Sequence, residues 1–335
     1  MSRPGWSRSG TGLEAQPLRI VLANEGPRIE ADAIGQRPLG GVETAVALLA
    51  RAFSARGHEL HLHFEGEAAP LPDHADLVIA TRVPRLFAEL PKGRRVLWLH
   101  NPARYLRKPR HAWPLLRARP ALVTLGPHHA GTLPGWLPGR RVQIPLAVAP
   151  PFDEPVAERS PPAPVAVFTS NPTRGLDELA ALWPRIGVGA LHAYSGAATY
   201  GGHARLAERA APILGRAAAN GARILSPVPR AELRERLLEA RCMLYLGDEG
   251  ETFCLALAEA QAAGLPCVVM NRGAVAERIQ DGVTGIVARG PDAFIEAARR
   301  VLTDDAAWLA MHRAALARGP GPGWGDIAAR FEALA

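Results

Sequence analysis

Lysine is almost missing from this chain: Lys92 and Lys108 are the only two in 335 residues, so the formal charge of +7 rests on arginine. An arginine-borne excess fits anionic ligands or an anionic membrane surface, and biased coding would give the same count. Aromatic residues make up 6% of the chain, too few for a base-stacking platform, and no helix-turn-helix, zinc-finger or RNP pattern occurs. Nucleic acid is therefore not an expected partner. The three cysteines, Cys242, Cys254 and Cys267, form no Cys-x-x-Cys pair and have no histidine at ligand spacing. That excludes a disulfide framework and a zinc site, and leaves reduced, mostly buried thiols. No run of about eighteen apolar residues is present, so no spanning helix is expected and the protein is placed in the cytoplasm. Gly-x-Gly-x-x-Gly is missing after the first apolar run, which argues against a nicotinamide or flavin enzyme.

What is present is an ordinary globular balance, 48% hydrophobic and 21% charged, over a length that suits two domains. Short apolar runs alternate with helical spacing, the pattern of a doubly wound α/β fold. In the first half the runs are 18–24, 58–64, 76–80, 95–100, 121–125 and 142–145, with a helix over 42–56 that Gly57 stops. His61 and His63 share one face of the second run; a solvated rim explains them better than a metal site. The second half repeats the theme at 165–169, 190–194, 222–225, 242–246, 267–270 and 286–287. These breaks predict a flexible tail over 1–17, an N-terminal domain over 18–150, a Pro-rich linker over 151–164, a C-terminal domain over 165–318 and a closing segment over 319–335 with one short amphipathic helix. Two open-sheet units leave a cleft between them, where ligands prefer to bind.

The most informative stretch starts at Glu251-Thr-Phe-Cys-Leu-Ala-Leu-Ala-Glu259, which sets two carboxylates eight residues apart around the start of an apolar helix. Eight helical residues rise about 12 Å, near the span between the sugar and the ribose of a sugar nucleotide. The amides of Phe253, Cys254 and Leu255 would lie between them, where unpaired N–H groups and the helix dipole can hold a diphosphate. A solvent-facing amphipathic helix would show the same spacing. The acids are followed by Ala263-Gly-Leu-Pro-Cys-Val-Val269, Arg272-Gly-Ala-Val-Ala-Glu277 and Asp281-Gly-Val-Thr-Gly285. In that order and within about forty residues, these elements resemble the donor-binding region of retaining glycosyltransferases of family 4 (glycosyl transferases group 1). Thr252 and Cys254 depart from that pattern, standing where the family often has glycine, and are expected to crowd the loop beside the donor.

The resemblance implies a GT-B fold of two Rossmann-like domains, the N-terminal one on the acceptor side and the C-terminal one on the donor side, with the last helix able to cross back. It also implies roles. Gly40 and Gly41 match the glycine-rich loop after the first strand, where the backbone approaches the donor. Arg174-Gly175 matches a diphosphate-binding pair, while the family's first cation is replaced, leaving Ser170 and Asn171 to offer neutral hydrogen bonds. His100 is the candidate for contact with the transferred sugar, with His128-His129 as a second, acceptor-side candidate. His192 and His203 have no supporting pattern. Glu251 would bind sugar hydroxyls, Glu259 the ribose, and Arg174 the diphosphate; His100, Glu251 and Arg174 form the catalytic set. No cofactor beside the nucleoside-diphosphate sugar is implied, and without Asp-x-Asp no metal. The acceptor implied is a glycan, a lipid-linked species or a protein in cell-surface glycan assembly, and Arg104 to Arg110 could lie against anionic lipid. Phosphorylases of the same fold need a lysine in the second domain, and none follows Lys108. An epimerase, a hydrolase or an inert sugar-nucleotide binder would share the architecture.

Overall fold

A computed structural model describes residues 16–26, 28, 40–67, 70–196 and 204–335. The tail expected over 1–17 falls almost wholly outside these residues, as does His203.

The first sheet contains β1 (Arg19–Asn24), β2 (Glu59–Phe64), β3 (His74–Thr81), β4 (Lys92–Trp98), β5 (Ala121–Thr124) and β6 (Arg141–Gln143), all parallel, in the order β2-β1-β3-β4-β5-β6. Parallel strands need crossovers, and those helices cover both faces, so the central strands β1, β3 and β4 are apolar on both sides over their buried ends. The side-chain alternation shows it. Ile20 and Leu22 of β1, Leu77 and Ile79 of β3, and Val96 and Trp98 of β4 enter one core; Val21, Ala23, Val78, Ala80, Leu97 and Leu99 enter the other. The expected solvated face of β2 holds for His61, which stays partly exposed, and is corrected at His63. His63 is buried at 5% exposure, with Glu89 3.7 Å away, and is not on a solvated rim.

On the first core lies α1 (Gly41–Ala55); on the second lie two short 3₁₀ helices, Pro84–Ala88 and Ala103–Arg107, and α2 (Pro109–Ala118). The five-residue α3 (Pro127–Gly131) follows β5. Residues 144–164 form no strand or helix and lead into the second sheet.

That sheet contains β7 (Val165–Phe168), β8 (Ala190–Tyr194), β9 (Ala222–Leu225), β10 (Cys242–Tyr245), β11 (Cys267–Met270) and β12 (Gly285–Ala288), again all parallel. Its order, β12-β11-β10-β7-β8-β9, makes the chain reverse direction across the sheet between β7 and β10. Its helices are α4 (Leu176–Ile186), α5 (Ala204–Ala219), α6 (Arg230–Glu239), α7 (Leu255–Ala262), α8 (Pro291–Thr303) and α9 (Asp305–Arg318). The doubly wound two-sheet class expected from the sequence is the one observed.

The last helix, α10 (Trp324–Glu332), does not stay with the second sheet. Ile327, Ala328 and Phe331 join the core under α1, and the Phe331 ring meets Phe53 and Trp98 edge-on at 6.5 and 5.3 Å. Glu332 accepts hydrogen bonds from Arg56 at 2.5 Å and contacts His58 at 2.8 Å, and Trp324 Nε1 donates to the Val148 carbonyl. Phe331 is fully buried, so Phe331→Ala should cost about 3–5 kcal/mol in urea unfolding. A loss under about 1 kcal/mol would mean that α10 is an appendage.

Candidate active site in the cleft

Open α/β sheets offer ligands a crevice beyond the carboxyl ends of their strands, at the point where the strand order reverses. In the second sheet that point lies between β7 and β10. The loops after these strands, 169–175 and 246–254, line a cleft of about 350 Å³ whose far wall is Gly40, Gly41, Val42, His100 and Asn101 of the first half. Two helix N-termini border it, α1 at Gly41 and α7 at Leu255. Their first-turn N–H groups have no intrahelical acceptors, so the cleft is suited to an anion.

The two carboxylates both reach the cleft, although not on one continuous helix. Glu251 lies in the loop ahead of α7, and Glu259 lies one turn inside it. Glu251 accepts the Tyr245 phenol proton in a short hydrogen bond, and the Arg174 Nε is 3.8 Å from the same oxygen. Arg174 also donates from Nη1 to Asp248 at 3.1 Å. The turn over 272–274 supports this loop from below: Ala274 N donates to the Glu251 carbonyl, and a Cβ on Gly273, whose φ is +56°, would come within 2.6 Å of the Asp248 carbonyl. Only glycine fits there.

Glu259 is 5% exposed and bound by the Arg230 guanidinium at the start of α6. Arg230 then reaches across the cleft, donating from Nη2 to Thr44 Oγ1 on α1 at 3.3 Å. The buried pair keeps a charge balanced where an unpaired carboxylate would be costly.

His100 lies at the cleft edge, packed on Trp98 with ring centroids 4.3 Å apart, and its buried Nε2 has no hydrogen-bond partner. Burial, aided by the charges of Arg82 and His129, pulls its pKa down to about 3, so the ring is a neutral imidazole. His129 is spent inside the first domain: Nδ1 accepts from Leu125 N, and Nε2 faces the Asn101 carbonyl at 2.9 Å. Burial lowers its pKa to about 4. His128 contributes its backbone N–H, which donates to Glu277 of the second half. Neither histidine lines the cleft.

Thr252 and Cys254 border the cleft without filling it. The Thr252 hydroxyl donates to the His100 carbonyl at 2.6 Å, joining the two halves. Cys254 takes the left-handed backbone, φ +68°, that glycine adopts without strain, and its side chain packs into the core of the second sheet at 6% exposure. Burial pushes its thiol far above the ordinary range, so it is not a nucleophile. Between them Phe253 enters the first core, beneath the Arg278 guanidinium at 4.1 Å.

The other expected residues divide. Ser170 lines the cleft with its hydroxyl 3.4 Å from the Tyr245 phenol. Asn171 also lines it, although its carboxamide oxygen accepts from Thr173 N and Oγ1. Gly175 lies in the neighbouring groove and caps α4 at φ +94°. Of the later sequence elements, Asp281 and Thr284 serve the turn into β12, accepting from Val287 N and Gln280 N. Arg230, Thr44 and Tyr245 have partners in other elements, and Tyr194 lines the cleft; no local spacing in the sequence announces any of them.

Residues 200–318 match the family model described as Glycosyl transferases group 1. A D-inositol 3-phosphate glycosyltransferase 1 of Catenulispora acidiphila is 31% identical over 114 residues, 33% of this chain and 27% of that protein. The chain thus spans about a quarter of the length of the curated relatives it matches. Among solved structures, sucrose-phosphate synthase from Thermosynechococcus elongatus superposes with a TM-score of 0.71 at 14% identity, covering 94% of this chain and 98% of that one. WaaG, a glycosyltransferase involved in lipopolysaccharide biosynthesis, gives 0.63 at 15%, covering 94% and 99%. At these identities the likeness is one of fold, and the fold is GT-B.

Burial of two neutral histidines has a pH signature. The unfolded chain binds their protons below about pH 6.5 and the folded chain does not, so stability is complete above that pH and falls as pH drops toward 4 and 3. Each contributes up to about 1.4 kcal/mol per pH unit. Melting of His100→Gln between pH 7.5 and 5 should show a shallower decline than the parent, and an equal slope would contradict the assignment.

Proposed function

We propose that this chain is a glycosyltransferase that moves a sugar from a nucleoside-diphosphate donor to an acceptor with retention of anomeric configuration. The observation that carries the reading is the convergence, at the topological reversal of the second sheet, of the α7 N-terminus with two carboxylates and two arginines; all of these except Arg174 lie within residues 200–318, which match the Glycosyl transferases group 1 family.

The residues divide the work by chemistry. The amides of Phe253 to Leu255 and the Arg174 fork hold the diphosphate and offset the charge that grows on it as the glycosyl bond breaks. Glu251, oriented by Tyr245, accepts hydrogen bonds from sugar hydroxyls. Glu259 takes the ribose hydroxyls, its charge balanced by Arg230. Neutral His100 offers Nε2 to the transferred sugar. No side chain is assigned as nucleophile: the departing phosphate takes the acceptor's proton on the same face, which gives retention. Metal independence is part of the proposal. So is the acceptor, which the family resemblance supports: a glycan, a lipid-linked species or a protein in cell-surface glycan assembly, reached from the cytoplasm in peripheral contact with anionic lipid.

A binder without turnover is the second reading, favoured by the strained Cys254 and the missing first cation. Thermal shift with UDP-, GDP-, dTDP- and ADP-sugars separates these readings from failure. One donor at a hundred times its Kd should add about 2.7 kcal/mol of stability. Glu259→Ala should weaken that donor at least about tenfold, the loss of one hydrogen-bonded charge. A shift without nucleotide release across an acceptor panel would favour the binder, and no shift with any donor would overturn both.

A further inference from the structure

We propose that the outer face of α2, together with the turn carrying Trp136, is a docking surface for an anionic lipid bilayer. The evidence begins with charge. Between Glu89 and Asp153 the sequence has eleven lysines and arginines and not one aspartate or glutamate, and both lysines of the chain fall in this run. The rest of the chain holds more acids than bases. The positive charge is therefore concentrated on one stretch of the first domain, which a uniform coding bias would not produce.

The second observation is where apolar residues face outward. Among the described residues four large hydrophobic side chains are exposed, and three belong to this stretch: Trp113 at 73%, Leu116 at 43% and Trp136 at 54%. On α2, His111 and Leu115 point into the core. Trp113 and Leu116, three residues apart, share the opposite ridge, with exposed Arg110 and Arg117 beside them. A helix facing only water would carry polar side chains on that ridge.

Trp136 is held out by construction. Leu133 and Leu137 on either side of it are buried in the same core as Leu115 and Leu106. Arg141 closes the turn, donating to the carbonyls of Pro134 and Gly135 at 3.0 and 2.9 Å. Thr132 Oγ1 accepts from Ala103 N at 2.8 Å, joining the turn to the segment that enters α2. Both tryptophans thus stand on the same side of the first sheet, on the core opposite α10.

Indole rings among arginines match a bilayer interface: the ring sits at headgroup depth while the guanidinium groups meet anionic phosphates. A nucleic acid would satisfy the charge and leave the Trp113–Leu116 ridge unexplained. The surface also adjoins the cleft along the chain, since His100 and Asn101 line the cleft and the 3₁₀ helix over 103–107 follows directly into α2. Resting on the transferase reading, this placement makes the acceptor lipid-anchored, delivered to the His100 edge from the membrane.

The test is flotation of the full chain with vesicles of phosphatidylcholine alone or mixed equally with phosphatidylglycerol. The wild type should float with the anionic vesicles only, and less at high salt. Trp113→Ala combined with Trp136→Ala, and separately Arg110→Glu combined with Arg117→Glu, should each weaken partitioning at least about tenfold. Both pairs are exposed, and an unchanged melting temperature with an unchanged donor-induced shift would show that fold and cleft are intact. Wild-type protein that stays at the bottom of the gradient, variants that float equally, or release of vesicles by single-stranded RNA at equal charge would overturn the proposal. Loss of donor binding with flotation retained would instead remove the transferase reading and leave the surface standing.

Discussion

The architecture depends on delivering the positive end of one short helix, α7, into the space between two sheets and holding it there. Phe253 does this by leaving its own domain and entering the core of the other, capped by Arg278. Leu255 follows it, and the approach is so close that a Cβ on Gly41 would lie 3.2 Å from the leucine methyl. The Thr252 hydroxyl ties the same loop to the His100 carbonyl. Glu277 meets the His128 amide from the second half, and Gly126 leaves the room for it. Apolar burial supplies the hold, and the polar links set the register between the halves.

Charge inside the cleft is balanced in pairs around that helix end. Arg174 stands by Asp248 and Glu251, and Arg230 by Glu259. Such pairing costs desolvation, so it contributes placement more than stability. Each carboxylate is fixed as an acceptor beside an arginine that can turn toward phosphate. Arg230 adds a link to Thr44, so changes at the Glu259 end of the cleft are felt by α1.

Much of this was legible in the sequence because parallel strands buried on both faces read as short apolar runs. All twelve strands overlap segments expected to be strands, while the strand order, with its reversal between β7 and β10, is set by packing between segments far apart in the chain. The site was legible where its geometry is local: Glu251, Glu259 and the amides between them are close along the chain. It was not legible where geometry is made by crossing. Arg230 is 29 residues from Glu259 and 186 from Thr44, and nothing in Pro-Val-Pro-Arg230 marks that reach. His63 departs from the alternating pattern because its ring is buried beside Glu89, while His61 on the same face of this edge strand stays partly exposed. Cys254 and Thr252 stand where glycine is expected and border the cleft, Cys254 packed into the core of the second sheet and Thr252 bonded to the His100 carbonyl.

The account turns on the α7 N-terminus as the diphosphate seat. A crystal structure with a bound nucleoside diphosphate tests this directly: the phosphates should lie within hydrogen-bond reach of the Phe253 to Leu255 amides and Arg174, with the ribose at Glu259. A nucleotide bound with its phosphates outside the cleft, or with Glu259 still closed on Arg230 and far from the ribose, would contradict it.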